Sequence, residues 1–193
     1  MADKLVKSQV REWTESIIIA LILALIIRAF LVQAFKIPSG SMIPTFNIGD
    51  RIFVSKVIYG AKVPFTNFRM PAMRQPKRGD IIVFRSPEDK KKDFVKRLIG
   101  FEGETVEIRD NRIYINGKIV DEPSSIRLVS YYNAGDSGGE NQVIKVPGDS
   151  YYVLGDNSAS SRDSRYWGFV PKENLIGKVI FIYWPLHRMK AVK

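Results

Sequence analysis

The chain opens on one long apolar block and then changes rhythm. From Ser16 to Phe35 it reads SIIIALILALIIRAFLVQAF, 20 residues with one charge, Arg28, and one amide, Gln33. Wound as a helix, such a stretch spans about 30 Å, the thickness of a bilayer's hydrocarbon core. Arg28 sits toward its C-terminal end, where a long side chain reaches the headgroups. A core helix of a soluble protein would be amphipathic, whereas Ile17–Ile27 is apolar all round. A cleaved leader is the other reading, because Val32-Gln33-Ala34 is built like a small-residue cleavage site. The pattern favours an uncleaved anchor. It divides the chain into a short cytoplasmic N-terminus (1–15), a transmembrane anchor (16–35) and an extracytoplasmic β-rich domain (36–193). Lys4, Lys7 and Arg11 before the span, against Lys36 and Arg51 after it, give the orientation only a weak basis.

Beyond the span the period falls from helical to strand-like. Arg51–Val57 alternates, Asp80–Arg85 holds the apolar run Ile81-Ile82-Val83-Phe84, and Phe94–Ile99 is a further β-like segment. Thr105–Ile108 and Arg112–Ile115 read as a hairpin across Arg109-Asp110-Asn111. Asn116-Gly117 is a type I′ turn signal leading into Lys118–Val120. Tyr151–Leu154 and Lys178–Trp184 complete the set. Short strands punctuated by Gly and Pro predict a mainly β, antiparallel domain. No internal repeat is visible. Lys62–Arg78 mixes Phe65, Phe68, Met70 and Met73 with basic residues and holds no acidic one. It reads equally as a loop dipping into anionic lipid and as a loop packed on its own core. Residues 124–145, with the Gly-rich YYNAGDSGGENQ, read as a surface loop without assigned function.

Composition narrows the chemistry. There are no cysteines, which removes disulfides, thiolate nucleophiles and zinc–thiolate sites. The one histidine, His187, sits six residues from the C-terminus, so a Ser-His-Asp triad would have to recruit a tail residue. The net charge of +10 suits nucleic acid or an anionic membrane, and the apolar span favours the membrane. No phosphate loop, dinucleotide fingerprint or metal-ligand cluster is present, so no cofactor, no metal and no nucleic-acid partner is expected.

Three segments remain as candidates. In Ile37-Pro38-Ser39-Gly40-Ser41-Met42-Ile43-Pro44-Thr45, prolines stiffen the chain on both sides and Gly40 permits a tight turn. Ser41 is thus displayed as a nucleophile must be, with the Ser39 hydroxyl and an adjacent N–H as candidate oxyanion donors. A plain turn leaving a membrane has the same composition. In Asp93-Phe94-Val95-Lys96-Arg97-Leu98-Ile99-Gly100, a strand places Phe94, Lys96 and Leu98 on one face. Lys96 among apolar neighbours would lose charge and become a base near neutral pH; on the solvent face of an edge strand it would be an ordinary lysine. The segment Gly155–Gly168 (GDNSASSRDSRYWG) carries close opposite charges and Trp167, as ordered loops do.

These segments, in this order behind a span, resemble type I signal peptidases, the leader peptidases of bacterial membranes. The matching stretches are PSGSMIPT, GDRIFVSK, RGDIIVF, DFVKRLIG and GDNSASSRDSRYWG. The resemblance implies an antiparallel β-sheet catalytic domain of the signal-peptidase and self-cleaving-repressor type behind one transmembrane helix. It implies that Ser41 attacks the scissile carbonyl and that Lys96 activates it, with the Ser39 hydroxyl and the Ser41 N–H holding the oxyanion. Ser161 falls on the family's lysine-orienting serine. Asp163 and Arg165 fall on its buried charged support, with Arg97 as partner. Phe35, Ile37, Met42, Phe46, Phe94 and Val95 fall on shallow pockets for small residues of an A-x-A motif. The implied partners are the signal peptides of exported preproteins and the phospholipid bilayer, near the secretion translocon, at the cell membrane. A self-cleaving repressor would carry a DNA-binding helical domain in place of the span. An anchored basic β module binding lipid would explain the span and the charge but not the serine, lysine and GDN segments together.

Overall fold

The computed structural model describes residues 2–63, 66 and 68–192, with the side chains from residue 9 onward. Phe65, named above with the basic loop, lies outside the described residues, as do the side chains of Lys4 and Lys7. Helix α1 (Ala2–Ile26) continues through one wider turn, Ile27–Leu31, and its stretch Gln9–Leu31 is long and apolar enough to cross a bilayer. None of that stretch is buried against the protein, as expected of a side-chain surface meant for lipid.

The span therefore ends four residues earlier than the hydropathy suggests. Val32–Lys36 forms strand β1, and all five residues pair with β2 (Arg51–Ser55). The apolar composition of Val32–Phe35 misled the assignment of the anchor to 16–35. A strand edge cannot stand in hydrocarbon, because its backbone groups would lack partners, so a helix that crosses a bilayer has to leave it before β1. At the other end α1 begins at Ala2, so residues 2–15 continue the same helix.

The remaining strands are β3 (Ile81–Arg85), β4 (Asp93–Phe101), β5 (Thr105–Arg109), β6 (Arg112–Ile115), β7 (Lys118–Ile119), β8 (Val143–Lys145), β9 (Ser150–Leu154), β10 (Val170–Pro171), β11 (Leu175–Trp184) and β12 (Lys190–Ala191). Eight of them form an antiparallel sheet in the order β1-β2-β11-β3-β4-β9-β10, with β12 on β11. A smaller antiparallel sheet runs β7-β6-β5-β8. The mainly β, antiparallel fold class holds. Register shifts in β11 between Val179 and Phe181 and between Ile182 and Trp184 bend that strand and curl the large sheet.

The apolar run in β3 has a direct structural cause. Ile81 and Val83 enter one core with Met42, Phe46, Ile52 and Val54, while Ile82 and Phe84 enter another with Leu98 and Val153. A strand covered on both faces has no polar face, so alternation disappears. The hairpin turns follow local chemistry. Asp110, Asn111 and Asn116 take positive φ ahead of β6 and β7, the geometry that Asn, Asp and Gly tolerate.

The segment 124–145 is not merely a surface loop. It contains helix α2 (Ser124–Arg127) and β8, and Ile126 and Tyr131 are buried in a third core with Ile99, Val106 and Leu154. Its polar composition hid two anchors. In the basic loop, Phe68 and Met73 are exposed while Arg69 donates to the Gly60 and Leu175 carbonyls, so this loop is pinned by an arginine and leaves apolar side chains outside.

Asp80, at the entry to β3, ties distant segments together. Its carboxylate accepts from Tyr59 Oη (2.7 Å), Arg74 (2.9 and 3.1 Å), Lys178 Nζ (2.7 Å) and the Lys77 N–H (2.8 Å). Burial alone would raise its pKa, but these donors together hold it well below the usual carboxylate range. Its stabilising contribution is therefore full above the unfolded value near 3.8 and fades as pH falls below that. Asp80→Ala strands two cations and should cost about 3 kcal/mol, a drop of roughly 6–12 °C in thermal midpoint in detergent. An unchanged midpoint would contradict this role.

Candidate active site

Ser41 is held from three sides. The Ile37 N–H donates to Asp50 O (2.8 Å) and the Gly49 N–H to Ile37 O (2.9 Å), closing the base of the loop. Met42 and Phe46 are buried in the core below it. From across the fold, Asn157 donates its Nδ2 to Gly40 O (3.0 Å) and its N–H to Ser41 O (3.0 Å). The Ser41 loop is thus fixed by its own hydrophobic anchors and by the GDN segment.

Lys96 lies on β4 opposite Ile82 of β3 and is 4% exposed. Its Nζ is hydrogen-bonded to Ser41 Oγ at 2.6 Å. Burial lowers its pKa, Asp163 and Asp156 pull it back up, Arg165 lowers it, and the result is about 8 rather than 10.5. Desolvation wins because each carboxylate is already committed to a guanidinium. Near neutral pH a tenth or so of such a lysine is uncharged, against fewer than one in a thousand for an exposed one.

Two fully buried ion pairs surround this contact. Arg97 donates through Nε to Asp156 Oδ1 (2.7 Å) and through a terminal nitrogen to Oδ2, and Thr45 Oγ1 also binds Oδ2. Asp163 caps α3 (Ser164–Trp167), accepting from the Arg165 side chain at 2.8 and 2.9 Å and from the Gly155 N–H (3.0 Å). Arg165 also donates to the carbonyls of Tyr132, Ser158 and Ser161 and to Ser158 Oγ. Gly155 permits the approach of this segment to Ser41. A Cβ there would lie 2.1 Å from Ser161 Oγ and 2.5 Å from Ser41 O.

A cleft of about 330 Å³ opens beside the contact. It is lined by Phe35, Ile37, Ser39, Ser41, Met42, Phe94, Val95 and Lys96, with Lys36, Pro38, Lys92 and Asp93 around them. Phe35 comes from the end of β1 and Ile37 from the residue just past it, while Phe94 and Val95 come from the start of β4, so its apolar walls belong to the strand that leads into the Ser41 loop and to the strand that carries Lys96.

Several sequence expectations change here. Phe46 is completely buried beneath the loop and is not a wall of the cleft. Arg97 pairs with Asp156, not with Asp163, whose carboxylate is filled by Arg165. The Ser161 hydroxyl makes no hydrogen bond to Lys96; it is buried without a partner among the described residues, while Lys96 Nζ is engaged by Ser41. Asp156 and Asn157 went unassigned although GDN was in view, because their partners, Arg97 and Gly40, lie 59 and 117 residues away. Nothing in the sequence signalled the wall behind Arg165. There the Ser137 N–H donates to Arg165 O, and Gly135, with φ of +64°, leaves no room for a Cβ. His187 is exposed on a turn near the C-terminus and does not line the cleft.

The chain is similar in sequence to known proteins. The family model for signal peptidase, peptidase S26, matches residues 10–184. Signal peptidase I P of Bacillus subtilis subsp. natto is 39% identical over 195 residues, covering 97% of this chain and 95% of that one. Signal peptidase I of Pseudomonas aeruginosa is 33% identical over 211 residues, covering 92% and 74%. Among solved structures, a crystal structure of a signal peptidase I from Enterococcus faecalis V583 matches at 39% identity with a TM-score of 0.45, covering 55% of this chain and 98% of that one.

The electrostatic balance at Lys96 is open to measurement. Asp156→Asn removes a charge that raises the Lys96 pKa and leaves the Arg97 charge uncompensated. Both changes act in the same direction. Carbon-13 NMR of the Lys96 ε-methylene should therefore report a value further below about 8 in the variant; an unchanged or higher value would contradict this balance.

Proposed function

The chain belongs to the signal peptidase family, peptidase S26, and from that premise we propose that it cleaves exported preproteins after small residues of an A-x-A motif by Ser41/Lys96 acyl transfer. As a family member it is a single-pass membrane peptidase that removes signal peptides. The observation that carries the mechanism is the 2.6 Å contact between Lys96 Nζ and Ser41 Oγ, with Lys96 buried.

The steps follow from that contact. Neutral Lys96 takes the Ser41 proton as Oγ attacks the carbonyl of the last signal-peptide residue. The Ser41 N–H and the exposed Ser39 hydroxyl stabilise the oxyanion. The Lys96 ammonium then gives its proton to the departing amide nitrogen, and the mature N-terminus leaves. An ester to Ser41 remains. Lys96 next takes a proton from water, whose oxygen attacks the ester; the bond from the acyl carbon to Ser41 Oγ then breaks, Lys96 returns the proton to Oγ, and the signal peptide leaves with a new carboxylate. Holding Lys96 at a pKa of about 8 instead of 10.5 costs about 3 kcal/mol of folding stability at neutral pH. That cost shrinks as pH rises from about 8 toward 10.5, because the unfolded chain then loses the same proton.

Roles for the remaining residues fit this reading. Asp163, Arg165, Asp156 and Arg97 hold the two segments that meet at Lys96. The Ser161 hydroxyl, packed close to where a Gly155 Cβ would stand and without a partner among the described residues, is left for orienting the amine. The cleft walls Phe35, Ile37, Met42, Phe94 and Val95 leave room for small side chains, which supports A-x-A recognition. The bilayer and a nearby secretion translocon are the surroundings in which such substrates emerge. The basic residues Lys4, Lys7 and Arg11, ahead of the apolar span, support a cytoplasmic N-terminus (1–15) and an extracytoplasmic catalytic domain (36–193).

Purified full-length protein in detergent should cleave a preprotein at an Ala-x-Ala site. Ser41→Ala and Lys96→Ala should each reduce that cleavage by at least about a thousandfold with an unchanged thermal midpoint or, for Lys96→Ala, a raised one. Replacing the substrate's last signal-peptide alanine by leucine should abolish cleavage by the wild type. Full turnover by either variant would overturn the assignment.

A further inference from the structure

A second cleft, of about 400 Å³, lies outside the catalytic centre, and the sheet topology places it at the membrane. The end of the large sheet next to α1 collects the start of β1 (Val32), the end of β2 (Ser55), the start of β11, the end of β3 (Arg85) and the start of β4 (Asp93). The cleft is lined from these ends, by Lys56, Lys62, Arg85 and Lys90 together with Asp93 and Glu173. Lys56 ties it to the anchor directly, since its Nζ donates to Arg28 O (3.0 Å) and Ala29 O (3.3 Å) in the last turn of the membrane helix.

Its charge is unbalanced. Four cations face two carboxylates, and one of those, Asp93, is engaged by Arg85 at 2.8 Å. Lys62 and Lys90 have no acidic partner among the described residues. Burial first, and then the Arg28 charge, lower the pKa of Lys56, against the opposing pull of Asp93. Beside the cleft, the hairpin closed by the Lys62–Arg69 bridge leaves Phe68 64% exposed. An apolar side chain next to uncompensated cations, level with the end of a membrane helix, matches the layering of acyl chains under phosphates.

We propose that this cleft binds the phosphate of an anionic phospholipid headgroup, taken from the leaflet in which α1 ends. Bound there, the lipid's single negative charge would offset part of the positive charge of Lys62 and Lys90 and help to fix the domain's height above the bilayer. Asp93 lines both this cleft and the catalytic one, and Lys96 is three residues further along β4, about 10 Å deeper into the domain. The inference rests on the single-pass anchor and not on the peptidase chemistry, so a failure of one leaves the other standing.

The test is native mass spectrometry of the full-length protein in detergent, titrated with phosphatidylglycerol, with phosphatidylcholine, or with soluble glycerol phosphate. Each lysine near an anionic headgroup contributes about a fivefold factor in affinity. Wild type should retain one phosphatidylglycerol in preference to phosphatidylcholine, and Lys62→Gln/Lys90→Gln should weaken that retention about twenty-fivefold while still cleaving preprotein in lipid-free detergent. Lys118→Gln/Lys145→Gln, on the small sheet, should retain the lipid as wild type does. The proposal is overturned if the cleft double variant holds phosphatidylglycerol normally, if the control variant loses it equally, if phosphatidylcholine is retained equally well, or if glycerol phosphate displaces the lipid at comparable concentration.

Discussion

A lysine amine buried against a serine hydroxyl is the constraint on which the rest of this structure depends. Lys96 is desolvated, and desolvation is what lowers its pKa to about 8. An exposed lysine would be protonated near neutral pH and could donate to Ser41 but never take its proton. The burial has to be maintained by rigid surroundings, because a side chain this long will reach water wherever it can. The two-faced core of β3 and the anchored Ser41 loop supply that rigidity.

The buried ion pairs make sense on the same terms. Asp156 and Asp163 both raise the Lys96 pKa, and unpaired they would recharge it. Arg97 and Arg165 satisfy them instead, with two-pronged hydrogen bonds at complete or nearly complete burial. Pairs of this kind are poor sources of net stability, since desolvating both charges offsets their attraction. Their value here is positional. Arg97 lies next to Lys96 on β4 and binds the GDN segment, so one strand positions the amine and, one residue on, the loop that clamps Ser41. Arg165 gathers the backbone of residues 132, 158 and 161 around a single guanidinium.

Much of this was legible from local pattern. Asn116-Gly117 announced its turn because positive φ selects those residues. Lys96 stood out from Arg97 because strand alternation put it with Phe94 and Leu98, and both faces proved to be covered. Arg97 shows the limit of that logic, since it too is buried, on the opposite face, and only its partner distinguishes its situation. Partners far apart in sequence left no local trace. Asp156 and Arg97 are 59 residues apart, and Asn157 reaches back 117 residues to Gly40. Val32–Phe35 was misread for a different reason: a strand with mixed burial and the end of a membrane helix are equally apolar, and only pairing with β2 separates them. In 124–145 the polar residues satisfy backbone groups, as Asn133 does for the carbonyls of Ile108 and Gly139, so polarity there marked an ordered segment at the surface rather than a loose loop.

The anchor and the site share one frame. β1 leaves the membrane helix at Val32 and delivers Phe35 and Ile37 to the cleft within five residues, and the loop that follows presents Ser41. The same short segment thus links the apolar helix to the wall of the cleft. The central claim is that this frame keeps Lys96 available as a neutral base. The pH dependence of kcat/KM on a preprotein, measured with full-length enzyme in detergent, tests it most directly. The rate should rise with pH through an apparent pKa near 8 and level off above it. A profile that is flat from pH 6 to 10, or one that rises only near the ordinary lysine value of about 10.4, would contradict it.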